Sequence, residues 1–326
     1  MRGIGAILVV NFHYTTRFHE MFPQAAHVPF SIFGGNYRVL LFFAISGFAI
    51  FFSMGKLKSA ADFGMNRFAR LFPAYWTAMS VTLIMEHLYD VPMLDISPGA
   101  TLLNLTMLQS FFFVPSVDGA YWTLAVELGF YASMISLWWF GQLRRIEVVI
   151  LFWLALKWLM FFWSGIPERF VMLTVLRYIP FFCIGMLSYR VWAHQRVWRQ
   201  QWPYFLAIFL TLAGTGTWDL VLAASILILV FYAMVEGHLR WICWRPLIWV
   251  GGISYSLYLV HQNVGFVIML WGNSLGVAPI WSYLFAVAYV TALGFIINRF
   301  VERPAGDAIT KWWKPLSARY PILSRA

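Results

Sequence analysis

The chain has 326 residues, of which 61% are hydrophobic and 11% charged, against about 25% charged in a soluble domain. So few ionisable groups cannot cover a soluble surface, so a water-soluble globular enzyme is excluded. The net charge of +10 falls in short clusters between apolar stretches, the pattern of membrane topology rather than of nucleic-acid binding.

A helix needs about 20 apolar residues to cross the hydrocarbon core of a bilayer. Apolar runs between charged or Pro/Gly breaks predict ten transmembrane helices, at 2–17, 37–54, 67–89, 119–141, 147–164, 170–192, 203–217, 218–236, 246–270 and 279–301. The break at Gly214–Asp219 is weak, so the seventh and eighth runs could merge or shift. Residues 101–113 are too short to span and predict a helix at the outer surface or dipping into it. The fold class is therefore all-α, a polytopic integral membrane bundle. A transmembrane domain over 1–303 is followed by a basic cytoplasmic tail over 304–326, in which Lys311, Trp312, Trp313 and Lys314 suit an interfacial anchor. The first helix serves as its own insertion signal. Whether the true start lies upstream is left open, and no soluble domain is expected after the bundle.

Ten spans put both termini on one side. Eighteen of the 23 Lys and Arg residues then collect there, among them Arg2, Arg67, Arg70, Arg144, Arg145, Arg190, Arg196, Arg319 and Arg325. Four fall on the other side, Arg17, Arg38, Arg169 and Arg177, and Lys157 lies within a span. This asymmetry places both ends in the cytoplasm and Glu86, Asp90, Asp95, Asp118 and Asp219 outside. Cys183 and Cys243 make no disulfide framework, and neither CxxC nor HExxH occurs, so no metal site is expected.

Polar groups within such helices are costly and are the first functional candidates. His13 lies eleven residues past Arg2, or about 16 Å along a helix, near mid-bilayer. Glu127, in a helix running the opposite way, lies about 12 Å from the other face. The two depths nearly sum to the core thickness, so the two groups share a level. A carboxylate there can fix the tautomer of an imidazole and raise its basicity. The alternatives are helix-packing glue for His13, and for Glu127 protonation or pairing with Arg2 or Arg177. Arg67 and Arg70, three apart at a helix start, suit a bidentate phosphate clamp or plain topological anchoring. Pro73 bends or caps that helix. Ser254, Tyr258 and His261 share one face of a helix and either line a polar cavity or bond between helices. Ser46 and Gly47 suit close helix packing.

Taken in order, RGIGAILVVNFHY, LFFAISGF, RFARLFPAYW, DGAYWTLAVELGFY and ISYSLYLVHQNVGF, followed by VERPA, resemble the motifs of the membrane-bound acyltransferase-3 family over residues 2–305. Departures fall at Arg38, Leu40, Leu128 and Gln262. The resemblance implies a multi-pass protein of the bacterial inner (plasma) membrane, with about ten helices. It implies an acyl-CoA-dependent O-acyltransferase that moves an acyl group, often acetyl, from cytoplasmic acyl-CoA to a hydroxyl of a carbohydrate or similar acceptor. Acyl-CoA is then a donor substrate, and no permanently bound cofactor is implied. The family's Arg–x10–His pattern falls on Arg2 and His13, its Arg-x-x-Arg on Arg67 and Arg70, and its Trp-x4-Glu on Trp122 and Glu127. His13 and Glu127 are the expected catalytic pair. Arg2, Arg67, Arg70, Trp122, Ser254, Tyr258 and His261 are expected to bind substrates. Direct transfer with His13 as general base and transfer through an acyl-histidine both remain open. A proton-coupled transporter or flippase of a lipid-linked sugar is the alternative function, because the same buried groups would suit a proton relay.

Overall fold

A computed structural model describes residues 1–32 and 37–319, leaving aside the side chains of 92, 318 and 319. Among the described residues the chain is helical, without strands. In chain order the α-helices are α1 (Arg2–Phe12), α2 (Phe18–Met21), α3 (Arg38–Met54), α4 (Ala60–Tyr89), α5 (Pro98–Asn104), α6 (Trp122–Trp139), α7 (Ile146–Phe162), α8 (Glu168–Leu173), α9 (Ile179–Trp192), α10 (Trp198–Thr215), α11 (Trp218–Val235), α12 (Arg245–Val260), α13 (Gln262–Ser274), α14 (Pro279–Ile297) and α15 (Arg303–Arg319). The part of the predicted tail beyond 319, with Arg325, lies outside the described residues, as does the side chain of Arg319.

Most of the helices overlie the predicted apolar runs, but the sixth run, 170–192, is divided between α8 and α9. By length and composition, two described helical stretches can cross a membrane: Trp218–Val235 and the 39-residue Pro279–Ser317. A third qualifies if α12 and α13, bent by 70°, count as one span. The α3 and α9 helices are apolar but shorter. This is fewer than the ten crossings expected. One reason is that helices such as α4 carry charge inside their length, with Asp62, Arg67, Arg70 and Glu86 on one helix.

The chain divides into two compact units. The first comprises residues 1–36, 58–125 and 245–326, and the second residues 37–57 and 126–244. In the first unit α1 packs on α12 through glycines. A Cβ on Gly3 would lie 2.2 Å from the Leu247 carbonyl oxygen, so only a bare Cα permits this approach. The first predicted span holds its helix to Phe12 and then widens into a π-helical turn, His13–Arg17. Such turns leave the i→i−4 ladder, and here hydroxyls take up the slack. Thr15 donates to the Asn11 carbonyl and accepts from the Ile32 N–H, while Thr16 donates to the Ile32 carbonyl.

The α4 helix starts at Ala60, earlier than the sequence predicts, because Ser59 caps it by accepting from the N–H groups of Ala61 and Asp62. Arg67 and Arg70 therefore lie two to three turns inside the helix rather than at its start. Pro73 neither ends nor caps α4 but sits within it. It cannot donate to the Ala69 carbonyl. The α15 helix approaches at that point, and a Cβ on Gly306 would lie 3.2 Å from the Ala69 oxygen.

In the second unit α3 packs against α9 with the small residues the sequence marks. A Cβ on Gly47 would lie 2.1 Å from the Phe182 carbonyl oxygen, and one on Gly185 1.9 Å from that of Ala44. Glu147 at the start of α7 is buried and bound by Arg190 (3.2 Å), Arg196 (3.5 Å) and the Gln201 side-chain amide (3.1 Å). Arg190 thus ties α9, and Gln201 ties α10, to the start of α7.

The ninth predicted span, 246–270, is not one helix. It breaks between α12 and α13 at His261. A break exposes backbone groups that a helix would satisfy internally, and buried in protein they must find side chains. Tyr14 donates to the His261 carbonyl, Tyr121 to that of Leu259, and the His261 ring to that of Tyr258. On the α13 side, the Asp118 carboxylate accepts from the Asn263 N–H at 2.9 Å and so caps the helix from elsewhere in the chain.

Candidate functional site

Eight of the nine candidate residues, all but Glu127, lie in the first unit. His13 opens the π-helical turn and is half-buried, so its ring is neither sealed in the core nor fully solvated. Its Nδ1 lies 2.9 Å from the Val9 carbonyl oxygen and 3.2 Å from Nε2 of His261. The two imidazoles meet edge to face, with centroids 4.7 Å apart. His261 is fully buried, and its Nδ1 lies 2.6 Å from the Tyr258 carbonyl oxygen. The helix break is what brings this ring to His13.

Ser254 and Tyr258 share a face of α12 as predicted, but His261 stands at the break beyond it. Ser254 is buried and donates to the Gly251 carbonyl. The Tyr258 hydroxyl donates to the Ala120 carbonyl at 2.8 Å and meets the Thr123 hydroxyl at 2.7 Å, which ties α12 to the start of α6. Trp122, the first residue of α6, is exposed.

Arg2, at the start of α1, is half-buried and packs toward Gly251 of α12. The Arg67 guanidinium lies over the Phe63 ring, 5.4 Å from its centroid. Arg70 lines a cavity of ≈ 300 Å³ with Asn66, Arg303, Asp307 and Thr310. Glu302, also in its wall, is bound through one carboxylate oxygen by Ser256 (2.6 Å) and Asn298 (2.8 Å).

Glu127 belongs to the second unit. Its carboxylate accepts from the Ser46 hydroxyl and from the Tyr131 hydroxyl at 3.2 Å. Of the partners weighed from sequence, Arg177 is engaged with Glu168 at 2.8 Å.

Residues 1–299 match the profile of an acyltransferase domain, that of the acyltransferase-3 family. The chain belongs to this family. No curated protein and no solved structure matches it. Membership makes the chain an acyltransferase of a membrane-protein family, with an acyl donor and a hydroxyl acceptor in general terms. Among the described residues no cluster of three or more metal-ligating side chains occurs.

Several residues that bind or support the candidates within each unit were not singled out from the sequence. Ser46 appeared only as a small packing residue, yet it binds Glu127. Charge asymmetry puts Asp118 and Glu86 on the outer side. Both are buried and both bind Asn263, whose side chain donates to Glu86 at 2.7 Å. The available signal was the Asp-Gly pair just ahead of α6 and the polar run His261-Gln262-Asn263 inside an apolar span.

Proposed function

We propose that this chain is a multi-pass enzyme of the bacterial inner membrane, with about ten crossings and cytoplasmic termini. In this reading it moves an acyl group, normally acetyl, from cytoplasmic acyl-CoA to a hydroxyl of a carbohydrate or glycan-type acceptor. The observation that carries this reading is the half-buried His13, whose Nδ1 is occupied by a carbonyl and a second imidazole. That arrangement suits a general base.

His13 removes the acceptor proton as the hydroxyl oxygen attacks the thioester carbonyl carbon. The C–O bond forms, the C–S bond breaks, and the CoA thiolate leaves with the proton returned by the imidazolium. Direct transfer needs no acyl-enzyme, and acylated protein accumulating on donor alone would contradict it. Arg2, Arg67 and Arg70 meet the donor phosphates, since guanidinium groups pair with phosphate oxygens bidentately. The cavity beside Arg70 supports this for Arg70 in particular. Glu127 is read as the catalytic carboxylate, and two hydroxyls donate to it. Trp122, Ser254 and Tyr258 are assigned to the acceptor side.

The test is release of CoA thiol by the purified chain given acetyl-CoA and surface glycans. Acceptor-dependent thiol release supports the proposal. Proton-driven movement of a lipid-linked sugar without CoA turnover would replace it with a transporter.

A further inference from the structure

The neighbours of two rings fix where their protons lie. A carbonyl oxygen only accepts, so the His261 nitrogen 2.6 Å from the Tyr258 carbonyl, Nδ1, must carry a hydrogen. In the neutral ring, Nε2 of His261 then holds a lone pair. His13 Nδ1 faces that lone pair at 3.2 Å and the Val9 carbonyl at 2.9 Å, two acceptors at once. A bare Nδ1 on His13 would set lone pair against lone pair at both contacts. The opposite assignment, with His261 donating from Nε2, would make the fully buried His261 a cation. One neutral arrangement remains: the His13 proton sits on Nδ1, shared between Val9 and His261.

On this basis we infer that His261 is a positioning residue which, with the Val9 carbonyl, holds His13 as its Nδ1–H tautomer and makes Nε2 the nitrogen that takes the acceptor proton. The inference rests on the reading of His13 as the base. It gives an imidazole the orienting task usually filled by a carboxylate. The break between α12 and α13 serves the same end. The Tyr14 hydroxyl donates to the His261 carbonyl and the Asp118 carboxylate caps the helix that follows, so side chains hold the backbone that carries the second ring on both sides of the bend.

The experiment is nitrogen NMR of the full chain labelled with 15N-histidine in nanodiscs, with His13→Gln used to assign the His13 ring. In the unmodified protein His13 should show a protonated Nδ1 and a bare Nε2. The proton on Nε2 instead would overturn the inference. Kinetics give a second arm. His261→Phe, which keeps a flat ring but offers no acceptor, should lower kcat at least tenfold with KM for acyl-CoA changed less than threefold. His261→Gln, whose side-chain oxygen can accept from Nδ1–H, should recover most of that loss. Equal loss in both variants would assign His261 a packing role and defeat the inference. If His13→Ala kept full activity, the base assignment would fall while the tautomer measurement stood, so the two failures are separable.

Discussion

Nδ1 of His13 and Nε2 of His261 lie 3.2 Å apart although 248 residues separate them in the chain. A π-helical turn presents one ring and a 70° bend between two helices presents the other. Neither device is needed for a bundle that only fills a membrane, and both cost regular backbone hydrogen bonds. The hydroxyls of Tyr14, Tyr121 and Thr15, together with the Asp118 carboxylate, replace those bonds.

The hydroxyl of Ser46 binds Glu127, so Ser46→Ala should expose the role of that carboxylate. A hydrogen bond to a charged group contributes about 1.5–3 kcal/mol. We expect kcat to fall roughly tenfold in Ser46→Ala, with Glu127→Gln lower still, since a neutral amide cannot serve as the carboxylate. Steady-state rates at saturating acyl-CoA check this. An unchanged Glu127→Gln rate would remove Glu127 from the catalytic machinery.

The two arginines of α4 should separate. Arg70 opens into the cavity shared with Arg303, whereas Arg67 lies over Phe63. Arg70→Ala is expected to raise KM for acyl-CoA about tenfold, the worth of one charged hydrogen bond, with kcat little changed. Arg67→Ala should raise KM less. Equal KM values in both variants and the parent would return the pair to topological anchoring.

Asp118 links stability to pH. Full burial pushes its carboxyl up to about 7, against the opposing pull of the N–H groups of Ala120 and Asn263. The unfolded carboxyl titrates near 3.9, so between about pH 4 and 7 the folded protein binds the extra proton. Stability from this group is complete below the unfolded value and is lost as pH rises through the folded one. The unfolding midpoint in detergent should therefore fall between pH 5 and 8. Asp118→Asn, which does not titrate but can still accept at one oxygen, should flatten that slope. A slope of equal size in the variant would assign it to other groups.

Most of the helix inventory is legible in the sequence because apolar runs and their charged breaks are local signals. The positions of α1, α3, α6, α7, α9, α11 and α14 follow from them, and Gly47 marks the close crossing with α9. His13 and Glu127 stand out because ionisable groups are rare in such runs. Their immediate partners are not legible, since His261 and Ser46 reach them only through the packing of distant helices. The bend at His261 is marked in the sequence only by the three polar residues His261, Gln262 and Asn263, and the carboxylate that caps the helix after it, Asp118, lies 145 residues earlier in the chain. The burial of Glu86 behind Asn263 is hidden for the same reason.

Glu147 should behave as a structural anion. It is buried and bound by the buried Arg190 and Gln201 and by the exposed Arg196. Removing one partner of a buried pair costs about 3–5 kcal/mol, because the other charge is left uncompensated. Glu147→Ala should lose most folded protein on extraction, measured by size-exclusion recovery, while Glu147→Gln loses less. Recovery equal to the parent for Glu147→Ala would show that the arginines find water or lipid instead.

In this mechanism the His13 imidazole performs the proton transfer. That role is tested most directly by the rate of acyl transfer from radiolabelled acetyl-CoA to acceptor by purified His13→Ala, with folding confirmed by its elution and thermal midpoint. General-base assistance is worth about 10²–10⁴ in rate, and a loss of that size in a folded variant is the expected result. Transfer at the parent rate by the same folded variant would contradict the account.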